Sequence, residues 1–127
     1  MNLTRIGGVL LAVALPFVGA GVAAASPETS LELTITDPKG DVEVSKLECD
    51  PPGGSHPSAT SACWELHMAR GVLDALADQQ QPTNCTMEYR PMTAHAEGVW
   101  HGKPVEWTKK FSNDCTLHTA TGTVFDF

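Results

Sequence analysis

The strongest constraint on the fold is a set of four cysteines in a chain of 127 residues: Cys49, Cys63, Cys85 and Cys115. None of them forms a CxxC pair, and their intervals do not resemble those of a zinc site. Disulfides are the default in an exported protein, and the N-terminal residues indicate export. Three pairings are possible, and we favour Cys49 with Cys63 and Cys85 with Cys115 because each closes a loop between elements that could be neighbours. Each closure would contribute roughly 3 to 4 kcal/mol to stability.

Residues 1–25 have the character of a secretory signal peptide. Arg5 precedes an apolar stretch at residues 6–22, and small residues, AAAS, follow at 23–26. A transmembrane anchor is the alternative, but glycines and Pro16 interrupt the apolar stretch. We therefore expect removal after Ala25, which leaves residues 26–127 as one small secreted, extracellular domain.

The charge of the chain excludes two classes of partner. Eight basic and 15 acidic residues give a net charge of −7. A surface this acidic repels the phosphate backbone of nucleic acids and anionic lipids. The sequence therefore predicts no nucleic-acid binding, and no membrane binding after the signal peptide is removed.

Alternating apolar and polar residues predict the strands. LELTIT at residues 31–36 and VEV at 42–44 flank the turn sequence DPKGD, which predicts a β-hairpin. MTAHAEGVW at 92–100 and VEWTKKF at 105–111 flank HGKP and predict a second antiparallel pair. The terminal TVFDF at 123–127 alternates again and predicts a fifth strand.

One main helix is expected between the two strand pairs. Residues 50–60 are too rich in proline and glycine for regular structure. Thr60 or Ser61 could cap a helix that runs to about Ala77, although Gly71 weakens it. Apolar residues at helical spacing would form one buried face: Cys63, Leu66, Ala69, Leu73 and Leu76. The predicted fold is α+β, a five-stranded antiparallel sheet covered on one face by this helix plus a short second helix, with two disulfides.

No constellation for catalysis or metal binding can be read along the sequence. The five histidines show no HExxH or comparable spacing, and no GxSxG occurs. We therefore predict that the protein is not an enzyme and has no catalytic residues, metal or cofactor. The histidines are expected at the surface or in packing: His56, His67, His95, His101 and His118. The tryptophans are expected in the core or at an oligomer contact: Trp64, Trp100 and Trp107.

The segment TNCTMEYRP at residues 83–91 is unusual because methionine and tyrosine lie in a loop. Cys85 can hold one side of this segment, and Pro91 stiffens the other. The residues between them can keep an extended shape, which is the shape in which proteases bind substrates. Such a loop would enter a protease cleft at little ordering cost.

These residues belong to a recognisable pattern. The pattern comprises HP followed by SAC, CTMEY with a proline two residues on, GVWHGKPV, FSNDC, the VFDF ending and the four cysteines. The chain resembles the Streptomyces subtilisin inhibitor family, secreted inhibitors of subtilase-type serine proteases, over nearly all of the predicted mature chain. The resemblance implies a two-layer α+β fold, a homodimer built through the sheet and the favoured disulfide pairing.

The resemblance also implies a substrate-like reactive loop. Its scissile bond would be Met87-Glu88, and Asn113 would support the loop from the scaffold. The remaining contact residues would be Asn84, Cys85, Thr86, Tyr89 and Arg90.

The expected partners are subtilisin-like proteases, with chymotrypsin-like enzymes as a second class because Met87 suits an apolar pocket. Trypsin is disfavoured, since its pocket carries a buried acid. The family loop often has proline at the position of Thr86 and a small apolar residue at that of Glu88. The alternative is therefore a secreted, non-inhibitory binding or structural module of the same fold. For Trp100 the sequence leaves two equal alternatives, a contact between the two subunits of a dimer or packing in the core.

Overall fold

The computed structural model describes residues 8, 12–16, 19 and 27–127. The signal peptide predicted at residues 1–25 and its cleavage point lie mostly outside these residues. Within the described ranges, no helix combines the length and apolar character that crossing a membrane requires.

The described chain forms one antiparallel sheet with helices on one side. The strand order is β3-β2-β1-β4-β5, and all pairings are antiparallel. The predicted α+β class with five antiparallel strands is confirmed. In chain order the elements are β1 (Thr29–Thr36), β2 (Val42–Cys49), β3 (Gly53–Gly54), α1 (Ala59–Met68), a first 3₁₀ helix (Leu73–Gln79), β4 (Met92–Trp100), β5 (Lys103–Phe111), α2 (Asp114–Thr121) and a second 3₁₀ helix (Gly122–Phe125).

The predicted β1–β2 hairpin is present, and its turn is organised by Asp37. The Asp37 carboxylate oxygen Oδ1 accepts hydrogen bonds from the backbone N–H groups of Lys39 and Asp41, each at 2.9 Å. Gly40 has a φ of 89°, a conformation that glycine adopts without steric cost. The two strands are longer than the sequence predicts because the alternation continues through Ser45 and Leu47, which are both buried.

The hydrophobic core lies between one face of the sheet and the helices. In β1, Leu31, Leu33 and Ile35 are buried, while Glu32 between them is exposed. Helix α1, α2 and both 3₁₀ helices cover this inner face. Other core residues are Leu47, Leu66, Leu73, Leu76, Ala94, Ala96, Phe111, Leu117, Val124 and Phe125.

The opposite face, called the outer face below, carries a row of charged residues. Glu32 on β1 pairs with Lys46 on β2 and with Glu97 on β4, and Glu97 pairs with Glu106 on β5. All four side chains are exposed. Like charges directly opposite each other on neighbouring strands destabilise a sheet. The centre of the outer face is therefore charged, and it contains two opposed glutamate pairs, Glu32 with Glu97 and Glu97 with Glu106.

The prediction of one helix to about Ala77 is wrong, because α1 ends at Met68. The backbone N–H of Arg70 bonds to the carbonyl of His67, and that of Gly71 bonds to the carbonyl of Leu66. These two bonds form a Schellman motif, with Arg70 at φ 55° and Gly71 at φ 75°. The chain then continues as the first 3₁₀ helix, so the apolar face predicted for a single helix is buried by two elements.

Position 71 requires glycine for two reasons, its positive φ and the close approach of the Trp100 ring. A Cβ placed on Gly71 would lie 2.3 Å from the Trp100 ring, well inside contact distance. Trp100 ends β4 on the inner face and is 9% exposed. Of the two roles considered for Trp100, the structure shows core packing.

Two further predictions need correction. The terminal segment is not a strand: Val124 and Phe125 are both fully buried, and consecutive buried side chains do not fit a strand with one covered face. Glu65 of α1 instead accepts hydrogen bonds from Thr123 N at 2.9 Å and Thr123 Oγ1 at 2.8 Å. These bonds hold the segment on the helical layer.

The fifth strand lies in the proline- and glycine-rich stretch that was expected to be irregular. Gly54 pairs with Leu47 of β2, because glycine can accept a φ of 88° where a Cβ would meet the neighbouring strand. The cap of α1 is Ser58 rather than Thr60 or Ser61.

Candidate functional site

The candidate site is the segment at residues 81–91, which has no regular secondary structure and connects the first 3₁₀ helix to β4. Met87 lies near its centre with 99% of its surface exposed, and Tyr89 is 72% exposed. Among the described residues, Met87 is the most exposed of the large apolar side chains. The segment, called the loop below, therefore presents rather than buries its apolar residues.

Helix α2 forms the support behind the loop, and Asn113 is its N-cap. The Asn113 Oδ1 atom accepts a hydrogen bond from Thr116 N at 2.9 Å, while Asn113 N donates to Thr116 Oγ1 at 3.1 Å. This reciprocal pair is a capping box, here with threonine at the third helical position. It fixes the rotamer of the Asn113 side chain and therefore the direction of its amide group.

The amide nitrogen of Asn113 binds the loop on both sides of Met87. Nδ2 donates to the carbonyl oxygen of Thr86 at 3.0 Å and to that of Glu88 at 2.9 Å. Asn113 is only 6% exposed, so water competes poorly for these bonds. One buried side chain thus holds the peptide units that flank residue 87.

Two further contacts hold the loop at residues farther from Met87 along the chain. Cys85 is bonded to Cys115 in α2, with a Cα–Cα distance of 5.7 Å. On the other side, the backbone N–H of Arg90 donates to the carbonyl of Ser112 at 2.8 Å. The loop is therefore attached to one scaffold segment, residues 112–115, both before and after Met87. The other predicted disulfide, Cys49–Cys63, is also present.

The surroundings of the loop are acidic. A shallow depression beside it is lined by Arg90 and by the acidic residues Asp37, Asp41, Glu43 and Asp114. Glu88 adds a further exposed carboxylate next to Met87. A partner that binds the loop must therefore tolerate negative charge next to it.

The structure groups the residues that the sequence analysis selected. The loop contains Asn84, Cys85, Thr86, Met87, Glu88, Tyr89 and Arg90, and Asn113 contacts it directly. The contact from Ser112 was not predicted, because a backbone carbonyl leaves no signal in a sequence.

The histidines occupy unrelated positions with one exception. His56 is buried, with Nε2 bonded to Val124 O at 3.0 Å and Nδ1 accepting from Ser58 N at 3.0 Å. His67 and His101 converge on Asp50 at the end of the sheet remote from the loop. Sequence spacing could not predict this convergence, because the residues belong to separate elements.

The tryptophans are likewise distributed. Trp100 is buried, and Trp107 packs at the core edge, where its Nε1 donates to Asp74 Oδ1 at 3.1 Å. Trp64 is 65% exposed on α1, so core packing is wrong for this residue. It is not among the residues that form the core or pack against it.

Known proteins share this fold and much of this sequence. A family model described as subtilisin inhibitor-like matches residues 27–113. Subtilisin inhibitor-like protein 12 of Streptomyces hygroscopicus is 39% identical over 112 residues, which cover 87% of this chain and 90% of that protein. The subtilisin inhibitor of Streptomyces violaceus is 44% identical over 77 residues, 60% of this chain and 53% of that protein. That match therefore spans about half of the relative's length.

A solved structure agrees with these sequence matches. Streptomyces caespitosus sermetstatin, crystallised in complex with Bacillus licheniformis subtilisin, is similar with a TM-score of 0.67 and 29% identity. The similarity covers 77% of this chain and 97% of that one. Together with the family match over residues 27–113, it leads to one conclusion: the chain belongs to the subtilisin inhibitor-like family.

Proposed function

We propose that the protein is a secreted inhibitor of serine proteases, chiefly subtilisin-like enzymes, and that it binds them as a substrate through the loop. The scissile bond is Met87-Glu88. Chymotrypsin-like proteases form a second target class, because an unbranched methionine side chain fits an apolar specificity pocket. The protein acts as a ligand for the protease and not as an enzyme.

The observation that carries this proposal is the double hydrogen bond from Asn113 to the carbonyl groups of Thr86 and Glu88. It fixes the backbone on both sides of Met87 while the Met87 side chain remains 99% exposed. A flexible peptide must lose conformational entropy when it enters a protease cleft, whereas a loop fixed in this way has lost most of it already. Fixed backbone and free side chain together are what substrate-like inhibition needs.

Binding then requires only general interactions. Met87 fills the specificity pocket, and main-chain groups of neighbouring residues pair with the cleft as an added strand. Interfaces of this kind bury about 1,600 Å² and are among the tightest known. Tyr89 and Arg90 contact the leaving-group side of the cleft, and Asn84 and Thr86 contact the other side.

The same contacts oppose completed hydrolysis. If the protease cleaves after Met87, the new carboxyl end remains attached through Cys85 and through the Thr86 carbonyl. The new amino end remains attached through the Glu88 carbonyl and through the bond from Arg90 to Ser112. Because neither end can leave, the peptide bond re-forms readily and the enzyme stays occupied.

Titration of subtilisin with the purified protein tests the proposal. We expect stoichiometric loss of subtilisin activity. Trypsin activity should not fall, because methionine cannot pair with the buried acid in the specificity pocket of trypsin. Met87→Ala should raise Ki by roughly 10- to 100-fold, because most of the burial of this side chain is lost. Met68→Ala is the matched control, since Met68 is also an exposed methionine, 59% exposed on α1.

Two outcomes would count against the proposal. If the protein has no effect on several subtilisin-like and chymotrypsin-like enzymes, the non-inhibitory module of the same fold is the better description. If inhibition occurs but Met87→Ala leaves Ki unchanged, the protease contacts a different part of the surface.

We further propose that the protein is a homodimer that buries the outer face of the sheet. This face is free of the helical layer, and Val44 on β2 is 57% exposed there. The row Glu32, Glu97 and Glu106 would repel the same row of a second copy, so screening by salt should strengthen the dimer. Sedimentation at about 20 mM and about 500 mM NaCl should show tighter association at the higher concentration. Glu97→Gln should remove part of this difference, and a monomer under all conditions would contradict the proposal.

A further inference from the structure

We infer that His67, His101 and Asp50 form a site for a divalent transition-metal ion of the Zn²⁺ type. The three side chains are the one group of potential ligands found in the described part of the chain, and their ligand atoms lie within 4.8 Å of one another. They come from three elements: the last turn of α1, the β4–β5 turn and the residue after β2. The inference does not depend on the proposed inhibition.

The distances from Asp50 to the two histidines match those in a tetrahedral site. The Nε2 atoms of His67 and His101 lie 3.3 and 3.7 Å from Asp50 Oδ2. Ligands about 2.0 to 2.1 Å from a tetrahedral ion are about 3.4 Å apart. Side-chain solvent exposures of 41%, 46% and 38% for His67, Asp50 and His101 leave a path for the ion and for a water as fourth ligand.

Glu28 lies beside the imidazole of His101. Its Oε2 atom is 3.4 Å from His101 Nδ1, the ring nitrogen that would not ligate the metal. A carboxylate on the non-ligating nitrogen is the usual partner of a metal-binding histidine.

The surrounding structure holds the ligands in place. Both imidazole rings pack edge-on against Trp100, with centroid distances of 5.1 Å for His67 and 4.6 Å for His101. The Cys49–Cys63 disulfide joins the residue before Asp50 to the helical turn before His67. The His101 backbone N–H also donates to Thr29 Oγ1 at 3.1 Å. The folded protein therefore holds the three ligands close together before an ion binds.

The ligand types select the metal. Two imidazole nitrogens and one carboxylate suit Zn²⁺, Ni²⁺ or Cu²⁺. Ca²⁺ and Mg²⁺ prefer all-oxygen sites and should bind poorly. A bound ion would join the end of β2, α1 and the β4–β5 turn, and would stabilise the fold by mass action.

The test is calorimetric titration of the untagged, metal-free protein with ZnCl₂, together with thermal unfolding. We expect one ion per chain and, at about 100 times Kd, an increase in Tm of roughly 10 °C. MgCl₂ and CaCl₂ should have no such effect. Glu28→Gln should weaken Zn²⁺ binding by about 10- to 100-fold without abolishing it.

The histidine variants decide the outcome. His67→Gln and His101→Gln should each abolish the stabilisation by Zn²⁺, while His95→Gln should bind as the unmodified protein does. His95 is the matched control because it is a surface histidine 3.4 Å from the carboxylate of Glu97. If the unmodified protein and either His67→Gln or His101→Gln give equal Zn²⁺ titrations, the binding is adventitious and the inference is overturned. Circular dichroism checks that each variant is folded.

The inhibitory loop provides an internal check. The metal site lies beyond Trp100 and the loop joins β4 at Met92, so β4 separates them by about 25 Å at roughly 3.3 Å per residue. Subtilisin inhibition should therefore be the same with and without Zn²⁺. Failure of inhibition would refute the proposed function but not the metal site.

Discussion

Replacing Asn113 by serine separates the two tasks of this side chain. Its Oδ1 atom caps α2 through Thr116 N, and its Nδ2 atom holds the loop through the carbonyls of Thr86 and Glu88. Serine is about as good an N-cap as asparagine. Its hydroxyl is shorter and offers one proton, so it cannot donate to both carbonyls. Asn113→Ser should therefore loosen the loop and leave the helix capped.

The size of the effect follows from the two lost hydrogen bonds. Each contributes about 0.5 to 1.5 kcal/mol net, so the loss in the ordered loop is about 1 to 3 kcal/mol. If the protease must restore the same loop conformation on binding, Ki rises by about 5- to 150-fold. Because the cap remains, Tm should fall less than it does for Asn113→Ala.

Three measurements check this prediction. Progress curves with subtilisin give Ki, mass spectrometry follows cleavage after Met87, and circular dichroism gives Tm. We expect a higher Ki and faster cleavage for Asn113→Ser, with a smaller fall in Tm than for Asn113→Ala. Asn113→Ala is the control that also loses the cap, which costs about 1 kcal/mol more. A Ki within about twofold of the unmodified protein, with the same cleavage rate, would refute the idea that the amide supports the loop.

Three other changes test the packing, the disulfide and the specificity. Gly71→Ala should cost about 2 to 4 kcal/mol in urea unfolding, since it adds a clash to a left-handed φ. Gly102→Ala, at a φ of 76° with no atom near its Cβ, should cost about 1 to 2 kcal/mol, and equal losses would contradict the argument. The double change Cys85→Ser and Cys115→Ser should turn the inhibitor into a substrate that is cut rapidly after Met87. It should also lower the free energy of unfolding by about 3 to 4 kcal/mol. Persistent inhibition would show that the hydrogen bonds alone are enough to hold the loop. Met87→Lys should transfer inhibition toward trypsin in a direct Ki comparison, and unchanged weak binding to trypsin would argue against residue 87 as the specificity residue.

Much of this architecture could be predicted from local patterns. The β1–β2 hairpin follows from two alternating segments around Asp37 and Gly40, whose roles are set by short-range turn chemistry. The loop could be recognised because Met87 and Tyr89 lie between a cysteine and a proline. Each of these signals is contained within about ten residues of the chain.

The predictions that failed depend on contacts between distant segments. Helical periodicity continues from Leu66 to Leu76, but α1 ends at Met68, and Trp100 of the distant strand β4 packs against Gly71 at the break. Alternation in the terminal segment indicates a strand, yet Glu65 captures Thr123 and holds it on the helical layer. The meeting of His67 and His101 likewise exists only after the sheet and α1 have packed.

The near-complete exposure of Met87 bears on how such a protein can change over evolutionary time. A side chain that is 99% exposed has almost no contact with its own scaffold, and substitutions at such positions usually alter stability by less than about 0.5 kcal/mol. Under the proposed mode of inhibition, residue 87 can therefore vary to follow a changing protease without a compensating change elsewhere. Asn113 has no such freedom, because both the helix and the loop depend on it. Selection can thus act on target choice and on structural integrity through different residues.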